Sequence, residues 1–130
     1  MARIDAHQHF WVYDPVEYDW INQDMQRLQR DFLPEDLNPL LAEADMQGCV
    51  AVQARHTEAE NDFLLELADD HEQVMGVVGW LDLMADNLEE RMQHYRGFEA
   101  FKGVRHIVQG EPDPDFILAP AFIRGIKLLA

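Results

Sequence analysis

The sequence is poor in cysteine, in basic residues and in long apolar runs. The single cysteine, Cys49, excludes a disulfide framework within the chain. The 25 acidic residues outnumber the 10 basic ones and give a formal charge of −15. This charge argues against nucleic acid and anionic membranes as partners, because both select a positive surface. No apolar run approaches the roughly 18 residues of a bilayer span, and the first residues lack an apolar signal core, so we expect a soluble cytoplasmic protein.

The residues that are present suffice for one folded domain. Apolar residues make up 48% of the 130 residues. This fraction is enough to bury a core, so we expect a folded and not a disordered chain. The length is that of one ordinary domain. We therefore expect residues 1–130 to form one domain.

Short apolar strands alternate with amphipathic helices along the chain. The predicted strands are 4–11, 49–54, 74–83 and 101–109, and the predicted helices begin near 34, 57, 86 and 120. This alternation predicts an α/β fold of parallel (β/α) units. The first unit lacks a glycine-rich nucleotide turn and no Walker A loop is present, which favours a (β/α) barrel. A complete barrel needs eight units and typically about 250 residues, so we expect the N-terminal half of a TIM barrel, truncated after about four units.

Two helix starts carry capping signals, and one connection is unusually long. Thr57 with Glu60 three residues later predicts a capping box, and Asp86 is expected to cap the third helix in the same style. The polar and aromatic stretch 12–34 exceeds a plain connection in length. Both a surface excursion pinned by its aromatic side chains and a substrate lid are compatible with it.

His7 and His9 lie two residues apart in the first predicted strand. Side chains alternate faces along a strand, so both point the same way. Two imidazoles about 6–7 Å apart on one strand face can hold a metal ion or a substrate oxygen. A strand end whose histidines only cap the sheet is the alternative, since such short pairs also occur by chance.

Polar side chains follow each of the four predicted strands. In a barrel the chemistry lies at the carboxyl ends of the strands, and polar groups in a buried sheet need partners. Each candidate also has a structural interpretation, such as a loop cap for Asp82, a carboxylate partner for Arg105, and an exposed loop for His56. The candidates are His7, His9, Gln53, Arg55, Trp80, Asp82, Arg105, His106 and Gln109.

Residues Arg105 and His106 are neighbours in the fourth predicted strand. Alternation of side chains places them on opposite faces. At most one of the two therefore points straight into a barrel interior.

Four blocks of the chain, in order, resemble the amidohydrolase-related lactonases, in particular the L-fuconolactonase and L-rhamnonolactonase branch. The blocks are Ile4-Asp5-Ala6-His7-Gln8-His9-Phe10-Trp11, then 50–54, then 76–83, and then 103–109 followed by Glu111-Pro112-Asp113. The resemblance covers nearly the whole chain. It implies a (β/α)8 barrel that opens a sugar-acid lactone with water.

The resemblance also implies roles for individual residues. His7 and His9 match the first-strand pair, which holds a divalent, zinc-like ion in metal-using relatives, while lactonases of this branch can work without one. Gln53, Arg105 and His106 match positions that line the lactone pocket. We expect catalytic roles for His7, His9, Arg105 and His106, and substrate contacts from the strand-end residues Gln53, Arg55, Trp80 and Asp82.

The general base of such barrels is an aspartate at the end of the eighth strand, with further histidines on the fifth and sixth. Four units do not reach those strands, so we expect this chain alone to be an incomplete and inactive half. Two alternatives stay open: a metal-dependent decarboxylase of the same superfamily, and a non-catalytic half-barrel. The expected partners are a small sugar lactone and, through open sheet edges, a second copy of the chain.

Overall fold

The computed structural model describes residues 2–130 and contains four strands, each followed by a helix. The strands are β1 (Ile4–Gln8), β2 (Gly48–Val52), β3 (Val74–Gly79) and β4 (Phe101–Val104). The helices are α1 (Pro34–Glu43), α2 (Glu58–Asp70), α3 (Leu88–Tyr95) and α4 (Pro120–Leu128). The strands pair in parallel in the order β1-β2-β3-β4. The predicted fold of four parallel (β/α) units is confirmed.

The core lies between this sheet and the helices that cover it. Its fully buried side chains include Phe10, Leu64, Val77 and Tyr95. Cys49 belongs to the same cluster, and burial raises the pKa of its thiol to about 11. This cysteine is therefore a packing residue that stays protonated at neutral pH. No helix within residues 2–130 has the length and apolarity to cross a bilayer.

All four strands are shorter than their predicted ranges, chiefly at their carboxyl ends. At the ends of β2 and β3, side chains of α2 bind the backbone of residues that follow the strand. The Asn61 amide accepts from the N–H of Trp80 and donates to its carbonyl oxygen, both at 2.7 Å. The Glu60 carboxylate accepts the N–H of Ala54 at 2.8 Å. With these hydrogen bonds the regular pairing of β3 and β2 stops, and the following residues turn toward the carboxyl end of the sheet.

The capping predictions are wrong in two places. Thr57 caps α2, but its hydroxyl accepts from Ala59 and Glu60 does not return to it. Glu60 points inward instead, because its carboxylate is required by the end of β2. Asn87, not Asp86, is the N-cap residue of α3, and it makes no side-chain cap hydrogen bond.

A second aromatic cluster fixes the stretch 12–34 to the sheet. Trp11 and Phe32 exchange backbone hydrogen bonds of 3.0 and 2.9 Å. The indole N–H of Trp11 donates to the Arg30 carbonyl oxygen at 2.8 Å. Tyr18 and Ile21 are buried in the same cluster. The stretch is thus a pinned surface excursion, which we call the aromatic excursion.

We expect Gly79→Ala to destabilise the protein by about 1–3 kcal/mol, as overpacking of a close contact does. A Cβ at this position would collide with the Asn61 carboxamide and lie 2.6 Å from the Phe101 ring. Gly103→Ala is the matched control in the adjacent strand, because no atom lies within 4 Å of its Cβ position. Urea unfolding of both variants measures the difference, and equal midpoints would contradict the packing described.

We also expect the 130-residue chain to associate with itself. Among residues 2–130, β1 and β4 each pair on one side only, and such edges pair readily with other chains. Ile4 on β1 is 41% exposed. Sedimentation velocity at tens of micromolar should show dimers or larger species, and Ile4→Lys should reduce them. A monomer under these conditions would contradict the expectation.

Candidate active site

A cleft of about 600 Å³ opens at the carboxyl ends of the strands. Residues that follow three of the four strands line it, together with Glu17, Asp19 and Trp20 of the aromatic excursion. The strand-end residues in its wall include His9, Arg55, His56, Arg105 and Glu111. The cleft therefore gathers titratable side chains at the end of the sheet where barrels carry their chemistry.

His7 and His9 converge at the carboxyl end of β1. Their Nε2 atoms lie 3.2 Å apart, and His9 Nδ1 lies 2.8 Å from the Val52 carbonyl oxygen. A carbonyl only accepts, so His9 Nδ1 carries the hydrogen and, in the neutral ring, Nε2 presents a lone pair. Burial, with smaller contributions from Arg105 and His7, lowers the pKa of His9.

Arg105 reaches from the end of β4 across β3 to the ends of β2 and β1. Its Nε donates to Gln53 Oε1 at 2.8 Å, and its Nη2 donates to both the side-chain and backbone oxygens of Gln53. Its Nη1 donates to His7 Nε2 at 3.2 Å. Gln53 is fully buried and does not line the cleft. Gln53 thus positions Arg105, and burial lowers the pKa of the Arg105 guanidinium.

The separation of the two histidine nitrogens fits one divalent ion. Two imidazoles bound tetrahedrally at about 2.0–2.1 Å place their nitrogens about 3.4 Å apart, close to the 3.2 Å between His7 and His9. Arg105 already donates to His7 Nε2, and a guanidinium at that distance repels a second cation. A metal ion at this pair therefore requires Arg105 to turn away from His7.

Arg55 joins the interior of the domain to the aromatic excursion. Its Nε donates to Glu60 at 2.9 Å and its Nη1 to Glu17 at 2.7 Å. The Glu60 side chain has no exposed surface, whereas that of Glu17 is 57% exposed. The buried Glu60 carboxylate is compensated by this cation and by the Ala54 N–H. Arg55 consequently ties the excursion to a fixed point beneath the cleft.

A chain of three polar side chains follows β3 and β4. The indole N–H of Trp80 donates to His106 Nδ1 at 3.2 Å, and His106 Nε2 lies 2.6 Å from Glu111 Oε1. An indole only donates, so in the neutral ring Nδ1 accepts and Nε2 carries the hydrogen that Glu111 receives. Both ring nitrogens of His106 are therefore engaged, and His106 acts on the cleft through Glu111.

His56 completes this group in the cleft wall. Its ring stacks on Trp80 with centroids 5.6 Å apart and lies 4.3 Å from the ring of His106. Its Nε2 accepts the N–H of Ile107 at 2.9 Å. Burial and the neighbouring His106 lower the pKa of His56. His56 thus binds the backbone after β4 and also lines the cleft.

The cluster of His56, His106 and Glu111 also has the residue types of a metal site. Its ligand atoms all lie within 4.8 Å of one another, and imidazole with carboxylate suits zinc. Three of the four ring nitrogens, however, already bind Trp80, Glu111 or the Ile107 N–H. An ion here would have to replace those hydrogen bonds.

The structure does not bring every predicted site residue into the cleft. Asp82 is exposed, and its carboxylate accepts the N–H of Met84 at 3.0 Å, which is the loop-capping role. Gln109 is exposed in a 3-10 turn after β4. Trp80 acts through His106 and His56. His9, Arg55 and Arg105 line the cleft, whereas His7 and His106 contact the lining residues His9 and Glu111.

Sequence reasoning missed Glu111 and His56 as cleft residues. Glu111 lies in the last block that carried the family resemblance, but it was not assigned a role. His56 directly follows Arg55, and this position after a strand end was the available signal. His56 cannot be chosen by spacing alone, because its partners Trp80 and Ile107 belong to other strand ends. Glu111 binds His106, which Trp80 of the neighbouring strand end orients.

We expect the metal-free protein to lose stability as the pH falls below about 6.5. Folding lowers the pKa of His9 and His56 from 6.5, so the unfolded chain binds more protons in this window and gains stability relative to the folded one. Urea unfolding in EDTA between about pH 5 and 8 measures the free energy of unfolding. The double variant His9→Gln, His56→Gln should show a smaller decline. An unchanged decline in that variant would contradict the assignment.

Comparison with known proteins identifies relatives over almost the entire chain. The model of the Amidohydrolase family matches residues 4–121. The L-fucono-1,5-lactonase of Burkholderia multivorans is 44% identical over 128 residues, which are 98% of this chain and 43% of that protein. The L-fucono-1,5-lactonase of Burkholderia ambifaria is 37% identical over 98% of this chain and 44% of its own length. The chain thus spans less than half the length of these curated relatives.

Solved structures agree with this relationship. An amidohydrolase from Burkholderia multivorans with bound zinc superposes with a TM-score of 0.94 at 44% identity, over 99% of this chain and 45% of that one. Amidohydrolase 2 from Bifidobacterium longum subsp. infantis superposes with a TM-score of 0.66 at 21% identity, over 98% and 47%. The second likeness shows the fold alone. With its family match, its close relatives and its four parallel units, the chain belongs to the amidohydrolase family and corresponds to the N-terminal half of a TIM barrel.

Proposed function

We propose that this chain forms the substrate-binding half of a sugar-acid lactone hydrolase, with L-fucono-1,5-lactone as substrate. The observation that carries the proposal is the convergence of Arg105, His7 and His9 at one end of the sheet. Two relatives named L-fucono-1,5-lactonase, at 44% and 37% identity, support the choice of substrate. Gln53 enters the proposal through its contacts with Arg105.

In the proposed reaction, water attacks the lactone carbonyl and the ring oxygen leaves as a hydroxyl. Negative charge develops on the carbonyl oxygen, and a fixed cationic donor stabilises it more than it stabilises the neutral ground state. Arg105 is such a donor, because Gln53 holds its Nε and Nη2 and leaves Nη1 toward His7. The lactone carbonyl would take the place of His7 as acceptor from Nη1.

The proposal includes one divalent, zinc-like ion, which His7 and His9 would bind. When bound, such an ion polarises the carbonyl and lowers the pKa of a bound water. The zinc in the related amidohydrolase supports this assignment. In the arrangement with Arg105 beside His7, the guanidinium supplies the positive charge at the same place without a metal ion.

The proposal places the general base outside this chain. Glu17, Asp19 and Glu111 line the cleft. Glu17 is held by Arg55 and Glu111 by His106, so each of these carboxylates already has a hydrogen-bond donor as its partner. Asp19 is exposed to solvent. We expect the aspartate of an eighth strand to be the base, so the 130-residue chain alone should hydrolyse the lactone negligibly, since loss of a base typically costs about 10²–10⁴-fold.

A chimeric barrel tests the proposal. This chain would replace the matching N-terminal part of the Burkholderia multivorans lactonase, to which it is 44% identical. We expect the folded chimera to hydrolyse L-fucono-1,5-lactone in a pH-indicator assay. Arg105→Ala in the chimera should lower kcat by about 10²–10³-fold, as removal of an oxyanion donor does.

Arg96→Ala is the matched control, because Arg96 is exposed at the end of α3 and remote from the cleft. It should leave kcat unchanged. A folded chimera that is inactive toward sugar lactones would overturn the substrate assignment. Turnover by the 130-residue chain alone would overturn the location of the base.

A further inference from the structure

Glu111 is a cleft carboxylate for which the proposed reaction has no use. One of its oxygens receives the His106 N–H at 2.6 Å. The other oxygen, Oε2, has no hydrogen-bond partner among residues 2–130. The side chain is 23% exposed and lines the cleft of about 600 Å³. Glu111 thus presents one anionic acceptor, already oriented, to whatever enters the cleft.

The orientation of this acceptor is fixed from behind. His106 is only 11% exposed, and its second nitrogen accepts from Trp80. Its ring stacks on Phe116 at 4.8 Å and meets Phe122 edge-on at 5.9 Å. His106 therefore cannot rotate without losing both hydrogen bonds and its ring contacts. Glu111 is preorganised, which limits the entropy that binding a ligand would cost.

The surroundings of Glu111 suit a ring that carries hydroxyl groups. A carboxylate oxygen accepts strongly from a hydroxyl, and such charge-assisted hydrogen bonds are stronger than neutral ones. The rings of Trp20 and His56 form apolar faces in the same cleft wall. A pyranose-like ring has both features, C–H groups on its faces and hydroxyl donors at its edge. A ring without hydroxyls would leave the Glu111 charge without a partner as it lost water.

We propose that Glu111 accepts a hydrogen bond from a ring hydroxyl of the substrate and so selects hydroxylated rings over plain cyclic esters. His106 is its positioning residue. This inference rests on the proposed function, because the proposed function identifies the ligand as a sugar lactone. It assigns Glu111 to recognition and not to proton abstraction from water.

Two inert probes separate recognition of hydroxyls from recognition of the carbonyl. L-fucose keeps the hydroxylated ring, and δ-valerolactam keeps a six-membered ring with a carbonyl but has no hydroxyl. Titration of the ¹⁵N-labelled 130-residue chain by NMR gives a Kd for each. In Glu111→Gln the amide oxygen still receives the His106 N–H, while an NH₂ donor replaces the free acceptor. We expect the Kd for L-fucose to rise at least about tenfold and that for δ-valerolactam to change less than about twofold.

Two further variants sharpen the test. His106→Phe keeps the ring packing but removes the N–H, so it should weaken L-fucose binding while leaving δ-valerolactam binding unchanged. Asp113→Asn is the matched control, because it makes the same charge change in the same loop, at an exposed carboxylate that caps Asp115. It should leave both Kd values within about twofold of the wild type.

The inference is overturned if Glu111→Gln binds L-fucose as the wild type does, or if it loses both probes equally. It is also overturned if the wild-type chain does not bind L-fucose. An active chimera combined with L-fucose binding that ignores Glu111 would retain the proposed function and reject this inference. An inactive chimera combined with Glu111-dependent L-fucose binding would do the reverse.

Discussion

The pairing of Arg105 with Gln53 is the contact on which the arrangement of the site depends. A guanidinium withdrawn from water is tolerated only where hydrogen-bond acceptors surround it. Gln53 supplies both its backbone and its side-chain oxygen, and its own amide is satisfied by the Arg55 carbonyl at 3.2 Å. Because Arg105 follows β4 and Gln53 follows β2, this pairing fixes the ends of two strands that are not neighbours in the sheet. His7 of β1 is then held by the same guanidinium.

The first turn of α2 performs the corresponding task from outside the sheet. Glu60 and Asn61 are consecutive, polar and fully buried. Glu60 holds the end of β2 through Ala54 and Arg55, and Asn61 holds the end of β3 through the Trp80 backbone. Polar side chains are buried here at a cost in desolvation that their hydrogen bonds offset. These hydrogen bonds hold the strand ends rigidly. A site made of residues from several strands requires such rigidity.

The sequence predicts the alternation of strands and helices well, because periodicity and buried apolar runs are local signals. It also predicts that candidate site residues gather at the strand ends, and His7, His9, Gln53, Arg55 and Arg105 contact one another there. It fails where two local rules compete. Thr57 and Glu60 have the spacing of a capping box, yet Glu60 serves Ala54 and Arg55, which precede the helix.

The choice between the carboxylates Asp82 and Glu111 shows the same limit. Both follow an apolar strand, and spacing gives Asp82 the closer position to its strand end. The N–H of Met84 holds Asp82 in a loop cap, and His106 holds Glu111 at the cleft. The long-range contact is the one that orients His106, which accepts a hydrogen bond from Trp80 at the end of the neighbouring strand β3. No pattern within one unit contains that information.

The segment after β1, the aromatic excursion and the end of β3 place all three tryptophans of the chain near the cleft. Trp20 lines it, Trp11 meets Trp20 edge-on with centroids 6.0 Å apart, and Trp80 stacks on His56 and donates to His106. Indole emission responds to a neighbouring imidazolium and to displacement of water from the ring. The tryptophan fluorescence of these 130 residues consequently originates near the cleft. Occupancy of the cleft and the charge of its histidines can be followed optically in the unlabelled chain.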